Sequence, residues 1–486
     1  MGELTSSGAL VLALDQGGQT SRAIAFDRRG VALARASKSV GETRSGDDRV
    51  EQDPEEVVRS LAGACDEVIA ELGNRARDVI RAGLATQRSS IVCWDRADGT
   101  ALSPVISWQD RRASARLDAL AAEAPELAGE VHRRTGLFLS PHYGASKLAW
   151  CLENLPRVAR ARERGRLAIG PLASFLAYRL LEEHPFVVDP ANASRTLCWS
   201  IETREWDPFL CRTFGVPREL LPACSETRGE HGTLSLRGAR VQLAILTGDQ
   251  SAAIFAQGEP RAGVAYVNIG TGAFVQRRAS GRVLLPRLLT SVVASRGGDA
   301  TFVVEGTING AGSALRRIER ELGLASVEDR LDDWLMSTRD PPLFLNGVSG
   351  LAAPYWAPQF ASRFVGDGTP EARVVAVVES VVFLVNIILD EMSSALAPAT
   401  AILASGGLTQ SDAVCRRLAD VADLRVIRAE DPEATARGVA WLAFDRAEPW
   451  SSGAATRELE PGIDVALRTR ARRYRSELER ALGLEA

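Results

Sequence analysis

The sequence predicts an α/β protein of two similarly built domains with a cleft between them. A continuous apolar run at residues 8–14 suits a central strand buried on both faces, and residues 241–246 form a second apolar strand. A strand, a Gly/Thr turn and a second strand occur once in each half, over residues 10–26 and 264–277. The length of 486 residues fits two to three domains at about 150 residues each. Small-molecule sites favour clefts between domains.

Residues 8–14 form the first strand, and the polar glycine turn Asp15-Gln16-Gly17-Gly18-Gln19-Thr20 follows it. Residues 21–27 form a second strand, 28–30 a hairpin turn and 31–36 a third strand. Asp53 caps a helix with Pro54 in its first position and Glu55 and Glu56 in its first turn, and the helix runs to about residue 72. Strands at 79–85 and 91–94 precede helices at 111–123, 145–155 and 171–182. The pattern restarts with a strand at 241–246, a helical segment at 251–257 and strands at 264–269 and 273–277. Further strands stand at 301–304 and 401–404, and a helix at 411–421. The most apolar stretch, 374–389, is broken by Glu379, Ser380 and Asn386; it is too short and polar for a membrane span and reads as a buried helix.

Composition removes several classes of function. A net charge of −4 and a pI near 5.8 argue against a nucleic-acid partner. Only Lys38 and Lys147 are lysines, which leaves little room for Schiff-base chemistry. Four scattered histidines form no HExxH or other close pair. Seven scattered cysteines without a CxxC read as reduced, mostly buried thiols of a cytoplasmic protein, and the first residues lack the charged start of a secretory signal. Neither a P-loop, a GxGxxG after the first strand, a kinase HRD/DFG set nor a GxSxG elbow is present.

The chemistry-bearing candidates lie at strand ends. The 15–20 turn offers backbone N–H groups, hydroxyls and a carboxylate, a pattern suited to a phosphate with Mg2+ beside it. Read alone it is an ordinary polar hairpin. The same two readings apply to Gly270-Thr271-Gly272 and to Gly406-Gly407, where a flat base can approach the backbone. Asp249 follows a buried strand and opens a helix, where the dipole favours the ionised carboxylate. It is either a plain N-cap or a base that accepts a proton from an attacking hydroxyl. Arg88, Trp108 and Phe274 offer donors and aromatic faces for a polyol, though each is an ordinary structural residue in isolation.

Taken in order, eleven segments resemble the FGGY carbohydrate kinases, and within them the glycerol kinase branch. They are DQGGQTSRAIAFD (15–27), VEQDP (50–54), TQRSS (86–90), SWQDRR (107–112), GASKLAW (144–150), NASRT (192–196), GDQ (248–250), GTGAF (270–274), EGTI (305–308), APYW (353–356) and SGG (405–407). The resemblance implies two ribonuclease-H-like domains of the actin and hexokinase type: 1–245 on the polyol side and 246–486 on the nucleotide side. It implies ATP- and Mg2+-dependent phosphoryl transfer to a small polyol or sugar, with no nucleic-acid or membrane partner and room for a homodimer. Asp249 is implied as general base, and Asp15 and Asp249 as neighbours of Mg2+. Arg88, Ser89, Trp108, His142, Asp249, Gln250 and Phe274 are implied around the acceptor. Asp15, Gly17, Gly18, Gln19, Thr20, Arg22, Gly270, Thr271, Gly272, Gly312, Arg316, Gly406, Gly407 and Ser411 are implied around ATP.

The chain departs from that branch at specific places. Gly18 and Gln19 replace two threonines, Ser89 a glutamate, His142 a tyrosine, Arg316 a glutamine and Ser411 an asparagine. A site built to bind hydroxyls discriminates strongly when its polar partners change. Two alternatives to a glycerol-like acceptor therefore stay open: a ketose or longer polyol as substrate, and a catalytically weak nucleotide- or sugar-binding sensor.

Overall fold

The structure is a computed structural model that describes residues 8–237, 239–429, 433–446, 450 and 456–484. It divides into unit 1 (residues 1–260, 291–302 and 433–452) and unit 2 (residues 261–290, 303–432 and 453–486).

In unit 1 the uninterrupted apolar run becomes β1 (Leu10–Gln16), buried throughout its length. The glycine turn reverses the chain into β2 (Thr20–Asp27), and β3 (Ala32–Ser39) continues the meander. β4 (Val79–Thr86), β5 (Thr233–Leu236) and β6 (Ala239–Gly248) complete a six-stranded sheet in the order β5-β6-β4-β1-β2-β3. The β1–β2 and β2–β3 pairs are antiparallel, whereas β4 runs parallel to both β1 and β6. Helix α1 (Pro54–Leu72) starts where expected: Asp53 accepts from the Glu55 N–H at 3.0 Å. Its apolar residues Val57, Leu61 and Val68 share one core with Leu10, Leu12 and Leu14 of β1. Each such side chain contributes about 1.5–3 kcal/mol when fully buried.

A five-stranded sheet in the same unit runs in the order Thr43–Ser45, Arg49–Gln52, Val105–Ile106, Ile91–Asp95 and Leu167–Pro171. Helix α2 (Gly144–Asn154) packs on its strand Ile91–Asp95. The short helix α3 (Asp249–Ala253) directly continues β6.

Unit 2 repeats the meander. β7 (Val264–Ile269) turns at residues 270–272 into antiparallel β8 (Ala273–Ala279). With β9 (Leu289–Arg296), β10 (Asp299–Ile308), β11 (Ala401–Ser405), β12 (Arg425–Ala429) and β13 (Thr456–Leu459), the order is β9-β10-β8-β7-β11-β12-β13. β11 runs parallel to both β7 and β12. The inner order β3-β2-β1-β4-β6 of one sheet thus matches β10-β8-β7-β11-β12 of the other. The helices of unit 2 include α4 (Gly312–Leu322), α5 (Pro370–Ser393) and α6 (Asp412–Ala422), after which α7 (Ala434–Ala443) returns the chain to unit 1.

Two details differ from the sequence reading. Residue 245 lies inside β6, paired with Gly83 of β4, so a break there would cut the first sheet; the first long segment of unit 1 runs on to residue 260. Helix α5 extends four residues beyond each end of the 374–389 stretch and is long and apolar enough to cross a membrane. It is nevertheless a core helix, as expected, because 89% of its most apolar window is buried inside the protein. Glu379 in its middle is 1% exposed and meets Arg470 at 2.7 and 3.0 Å and Arg417 at 3.2 Å, so its charge is compensated.

Candidate active site

Strand register brings two carboxylates to one sheet edge in unit 1. Ala85 of β4 pairs with Asp15 on one side and with Thr247 on the other. Asp15 is therefore the last residue but one of β1, and Asp249 opens α3, with a single strand between them. Carboxyl ends of parallel strands are where open α/β sheets place ligands.

Asp15 is 5% exposed. Across the β1–β2 hairpin Arg22 donates from Nη1 to Asp15 Oδ2 at 3.2 Å, and its Nε stands 3.9 Å from Glu433. Burial, reinforced by the nearby Asp249 charge, pushes Asp15 up to about 7 against the pull of Arg22. Burial also raises Asp249, while Arg88, the Gln250 N–H and Arg195 oppose the rise. The Asp249 side chain keeps 27% of its surface open, which moderates the effect of burial. The Gln250 N–H donates to Asp249 Oδ1 at 2.7 Å, and Arg88 Nε stands 3.9 Å from the same oxygen.

Arg88 follows β4 and passes directly over Gly248. A β-carbon at 248 would stand 2.5 Å from Arg88 Cδ, so glycine is required for that path. The guanidinium donates to Ser251 Oγ at 3.4 Å and to Gln250 Oε1. Arg88 thus orients the α3 start, a role beyond the polyol contact implied by the resemblance.

Ser89 is buried and left-handed (φ 66°), and among the described residues its hydroxyl has no hydrogen-bond partner. Trp108 is 38% exposed and lies against His142, with ring centroids 5.5 Å apart. Burial, and then the charges of Lys147, Arg111, Arg195 and Arg88, drive His142 well below the usual imidazole range. His142 is therefore a neutral hydrogen-bonding group at neutral pH.

In the 15–20 turn the Gly17 N–H donates to the Thr20 carbonyl at 2.9 Å. Gln52 Nε2 donates to the Gly18 carbonyl at 2.7 Å, and Gln87 Nε2 donates to Gln52 Oε1 at 2.8 Å and Gln16 Oε1 at 3.3 Å. This chain of buried amides ties the turn to the segment bearing Arg88. Gln19 is exposed, its carbonyl accepting from Val40 N–H at 2.9 Å. Gly18 faces Trp108: a β-carbon there would stand 4.0 Å from the indole nitrogen.

Unit 2 carries the other turns. Gly270 N–H donates to the Gly272 carbonyl at 2.8 Å, and Gly312 N–H donates to the Gly270 carbonyl at 2.9 Å. Thr271 is exposed; its carbonyl accepts from Ala311 and Ser313 N–H, and its hydroxyl accepts from Arg316 Nη2 at 3.4 Å. The turn is thereby stitched to the start of α4. A β-carbon at Gly272 would meet the Ile308 carbonyl at 2.7 Å, and one at Gly312 the Gly270 carbonyl at 2.8 Å. Gly406 is left-handed (φ 98°) against the Ile269 backbone, while the position of a β-carbon at Gly407 is open. Ser411 is an N-cap: its hydroxyl accepts from Val414 N–H at 3.0 Å and contacts Asp332. Phe274 belongs to this unit, half-buried on β8 opposite Asn268.

Unit 1 therefore brings together Asp15, the 17–20 turn, Arg22, Arg88, Ser89, Trp108, His142, Asp249 and Gln250. Unit 2 brings together residues 270–272 with Gly312 and Arg316, and holds Gly406, Gly407 and Ser411. Sequence reasoning gave no role to Gln52, Gln87, Lys147, Arg195 or Glu433. Their signal was membership of the quoted VEQDP, TQRSS, GASKLAW and NASRT segments; Glu433 had none.

The residues suit the groups implied by the resemblance. Among the described residues no cluster of three or more His, Cys, Asp or Glu side chains is arranged to hold a metal. Mg2+ is typically held by one or two carboxylates with waters and substrate phosphates, which is what Asp15 and Asp249 offer. Their mutual repulsion, seen in the raised Asp15, is relieved by a divalent cation. In unit 2 the crowded glycine turn and the open Gly407 face suit phosphate and a flat base.

The family model for the N-terminal domain of FGGY carbohydrate kinases matches residues 10–256, and that for the C-terminal domain matches residues 265–445. The chain is 33% identical over 485 residues to a glycerol kinase of Rhizobium rhizogenes, covering 95% of this chain and 96% of the relative. It is 35% identical over 452 residues to a glycerol kinase of Methylobacterium nodulans, covering 89% of each. The fold matches that of the Plasmodium falciparum glycerol kinase solved with ADP, at a TM-score of 0.87 and 22% identity over 98% of both chains. A xylulose kinase from Rhodospirillum rubrum matches at 0.84 and 19% identity, again over 98% of both chains.

Proposed function

The chain belongs to the FGGY family of carbohydrate kinases, and from that premise we propose that Asp249 takes the proton from an acceptor hydroxyl as that oxygen attacks the γ-phosphorus of ATP. The reaction class is ATP-dependent phosphoryl transfer to a polyol or sugar. The acceptor of this reading is glycerol or a close short polyol, bound in unit 1. One observation carries it: a partly open carboxylate at the start of α3, at the same sheet edge as Asp15, with Arg88 3.9 Å away.

The acceptor O–H bond breaks, an O–P bond forms and the bond to the β-phosphate oxygen of ATP breaks, leaving the proton on Asp249 and releasing ADP. Arg88 and the Gln250 N–H aim the carboxylate. Burial raises its proton affinity above the ordinary carboxylate range, which suits a general base, while the charges of Arg88 and Arg195 oppose that rise. Trp108 offers an apolar face to the carbon chain, and neutral His142 a hydrogen-bonding partner. Residues 270–272 with Gly312 and Arg316 hold the phosphates of ATP, and Gly406 and Gly407 border its adenosine; Ser411 acts through the α6 cap. Mg2+, held at Asp15 and Asp249, would neutralise charge on the transferred phosphate. The free thiols of all seven cysteines support a reducing, cytoplasmic setting.

A second reading keeps the chemistry and takes a ketose or longer polyol. It is favoured by the Ser89 hydroxyl, which is buried without a partner among the described residues and is short enough to leave room for a longer chain.

The test is coupled ADP release over a panel of polyols and ketoses with Asp249→Asn as control. Acceptor-stimulated release that the substitution removes supports the reading; stimulation surviving it unchanged excludes Asp249 as the base. The kcat/KM for the acceptor should fall as pH drops below about 7, as the coupled pair of Asp15 and Asp249 gains protons. A profile flat between pH 5 and 8 would contradict the assignment. Gly272→Ala should raise the KM for ATP about tenfold or more by displacing the turn from Ile308, with the acceptor KM little changed.

Asp15 makes a separate stability prediction. Its folded value, about 7, lies above its ordinary 3.8. Its stabilising contribution is therefore complete below about pH 4 and is lost as pH rises through about 7. Asp15→Asn should then stabilise the ligand-free protein above pH 7 by on the order of 2 kcal/mol while lowering activity. Thermal melts at pH 5 and 8 check the sign.

A further inference from the structure

We propose that Lys147 is the positioning residue of the acceptor site, its ammonium fixing three pocket-bearing backbone segments at once. This rests on the assignment of the acceptor to unit 1. Lys147 lies in the first turn of α2 and is fully buried. Its Nζ donates to the carbonyls of Ser89 at 2.8 Å, His142 at 2.8 Å and Ser107 at 3.1 Å, which uses all three ammonium protons. Ser89 follows Arg88, Ser107 precedes Trp108, and His142 packs on the Trp108 ring. One charge thus sets the spacing of the residues that face the acceptor.

Stability alone does not account for a cation at this point. Among the described residues Lys147 has no carboxylate within ion-pair distance; burial pulls its proton affinity well below the usual lysine range, and the three carbonyls on its Nζ and the more distant Asp110 charge favour the ammonium against that pull. The first turn of a helix repels positive charge, and burying an ammonium is costly. The segments it joins also need an outside tie. Ser89 sits in a left-handed conformation that a β-carbon disfavours. The 107–110 stretch forms a turn closed by an Asp110 N–H to Ser107 carbonyl bond. The Ser107 carbonyl thus accepts from that turn and from Lys147 together. Arg111 Nη1 donates to the Trp108 carbonyl at 3.0 Å, so the Trp108 segment is held from both sides.

The test compares the full-length protein with Lys147→Met, which keeps the stem and removes the donors, and Lys147→Gln, which restores neutral N–H donors. The readouts are steady-state kinetics with glycerol and ATP, and deuterium exchange of the segments around residues 87–90 and 105–109. For Lys147→Met the glycerol KM should rise about 10- to 100-fold while the ATP KM stays within about twofold, since a misplaced pocket weakens positioning of one substrate only. Exchange should quicken in those two segments, and Lys147→Gln should recover part of both effects. A glycerol KM within about twofold of the parent, or glycerol and ATP KM values rising together, would overturn the proposal. Should Lys147→Met fail to fold, Lys147→Gln is read by the same criteria. Should glycerol not be turned over, exchange decides: quickening confined to the two segments supports the role, and unchanged or global quickening overturns it. Full activity of Asp249→Asn would instead remove the underlying assignment, an outcome separable from any result at residue 147.

Discussion

Asp249→Asn should lower kcat for acceptor phosphorylation by about 10³-fold, within the span that a positioned general base contributes, while leaving the KM for ATP within about twofold. The amide keeps the shape of the side chain and can still face the Gln250 N–H and Arg88, but it cannot hold a proton taken from an alcohol. The fold should survive. Burial raises the proton affinity of Asp249, so replacing the carboxylate with a neutral group removes a desolvation cost. A loss of kcat without any lowering of the melting temperature is thus the expected signature, and one that a structural N-cap aspartate would not give.

Gly438→Ala should be among the most damaging changes outside the acid pair. Gly438 lies in α7, which packs on α3. A β-carbon at 438 would overlap the carbonyl oxygen of Ala252 and stand 2.6 Å from its carbon. That obstacle is backbone, not the end of a side chain, so one of the two helices must move. Thr435 of α7 also contacts the Asp249 carbonyl, at 3.4 Å. Displacement therefore reaches the residue assigned as base. A stability loss of about 1–3 kcal/mol from overpacking is expected, together with a fall in kcat larger than that loss explains at a temperature where the variant is folded. A thermal melt and a kcat measured well below the transition separate the two effects.

Much of the fold could be read from local patterns. The apolar runs at residues 10–14 of β1 and 243–246 of β6 are continuous because both faces of the sheet are covered there. The glycine turns after β1 and β7 mark the repeated meander, and Asp53-Pro54 marks the start of α1. The edge strands β5 and β13 and the arginine-rich helix Val465–Ala481 were missed. The two strands are only four residues long, and the helix carries a weak apolar stripe. Helix α5 was recognised as a core helix but made too short, because its end turns carry Glu371, Arg373, Asp390 and Glu391, where the apolar pattern stops.

The two acids of the candidate site stand out in the sequence for a similar reason. Asp15 lies at the carboxyl end of buried β1 and Asp249 directly follows buried β6, and parallel strands bring two such ends to one edge. The supporting residues were not legible, since their roles exist only through tertiary contacts. Lys147 reads locally as a surface lysine of an amphipathic helix, and Gln52 and Gln87 as unremarkable amides. Arg195 is one of 56 arginines, and only its place near Asp249 distinguishes it. Ser411 shows the converse: a residue assigned to the nucleotide spends its hydroxyl capping α6.

The most direct measurement is acceptor-dependent ADP release at pH 8 with saturating Mg-ATP, comparing the parent protein with Asp249→Asn over glycerol, longer polyols and ketoses. At least one acceptor should stimulate release by about 10²-fold or more in the parent and by almost nothing in the variant. Release that no acceptor stimulates, or stimulation of equal size in both proteins, would contradict the assignment of Asp249 as the base that activates an alcohol.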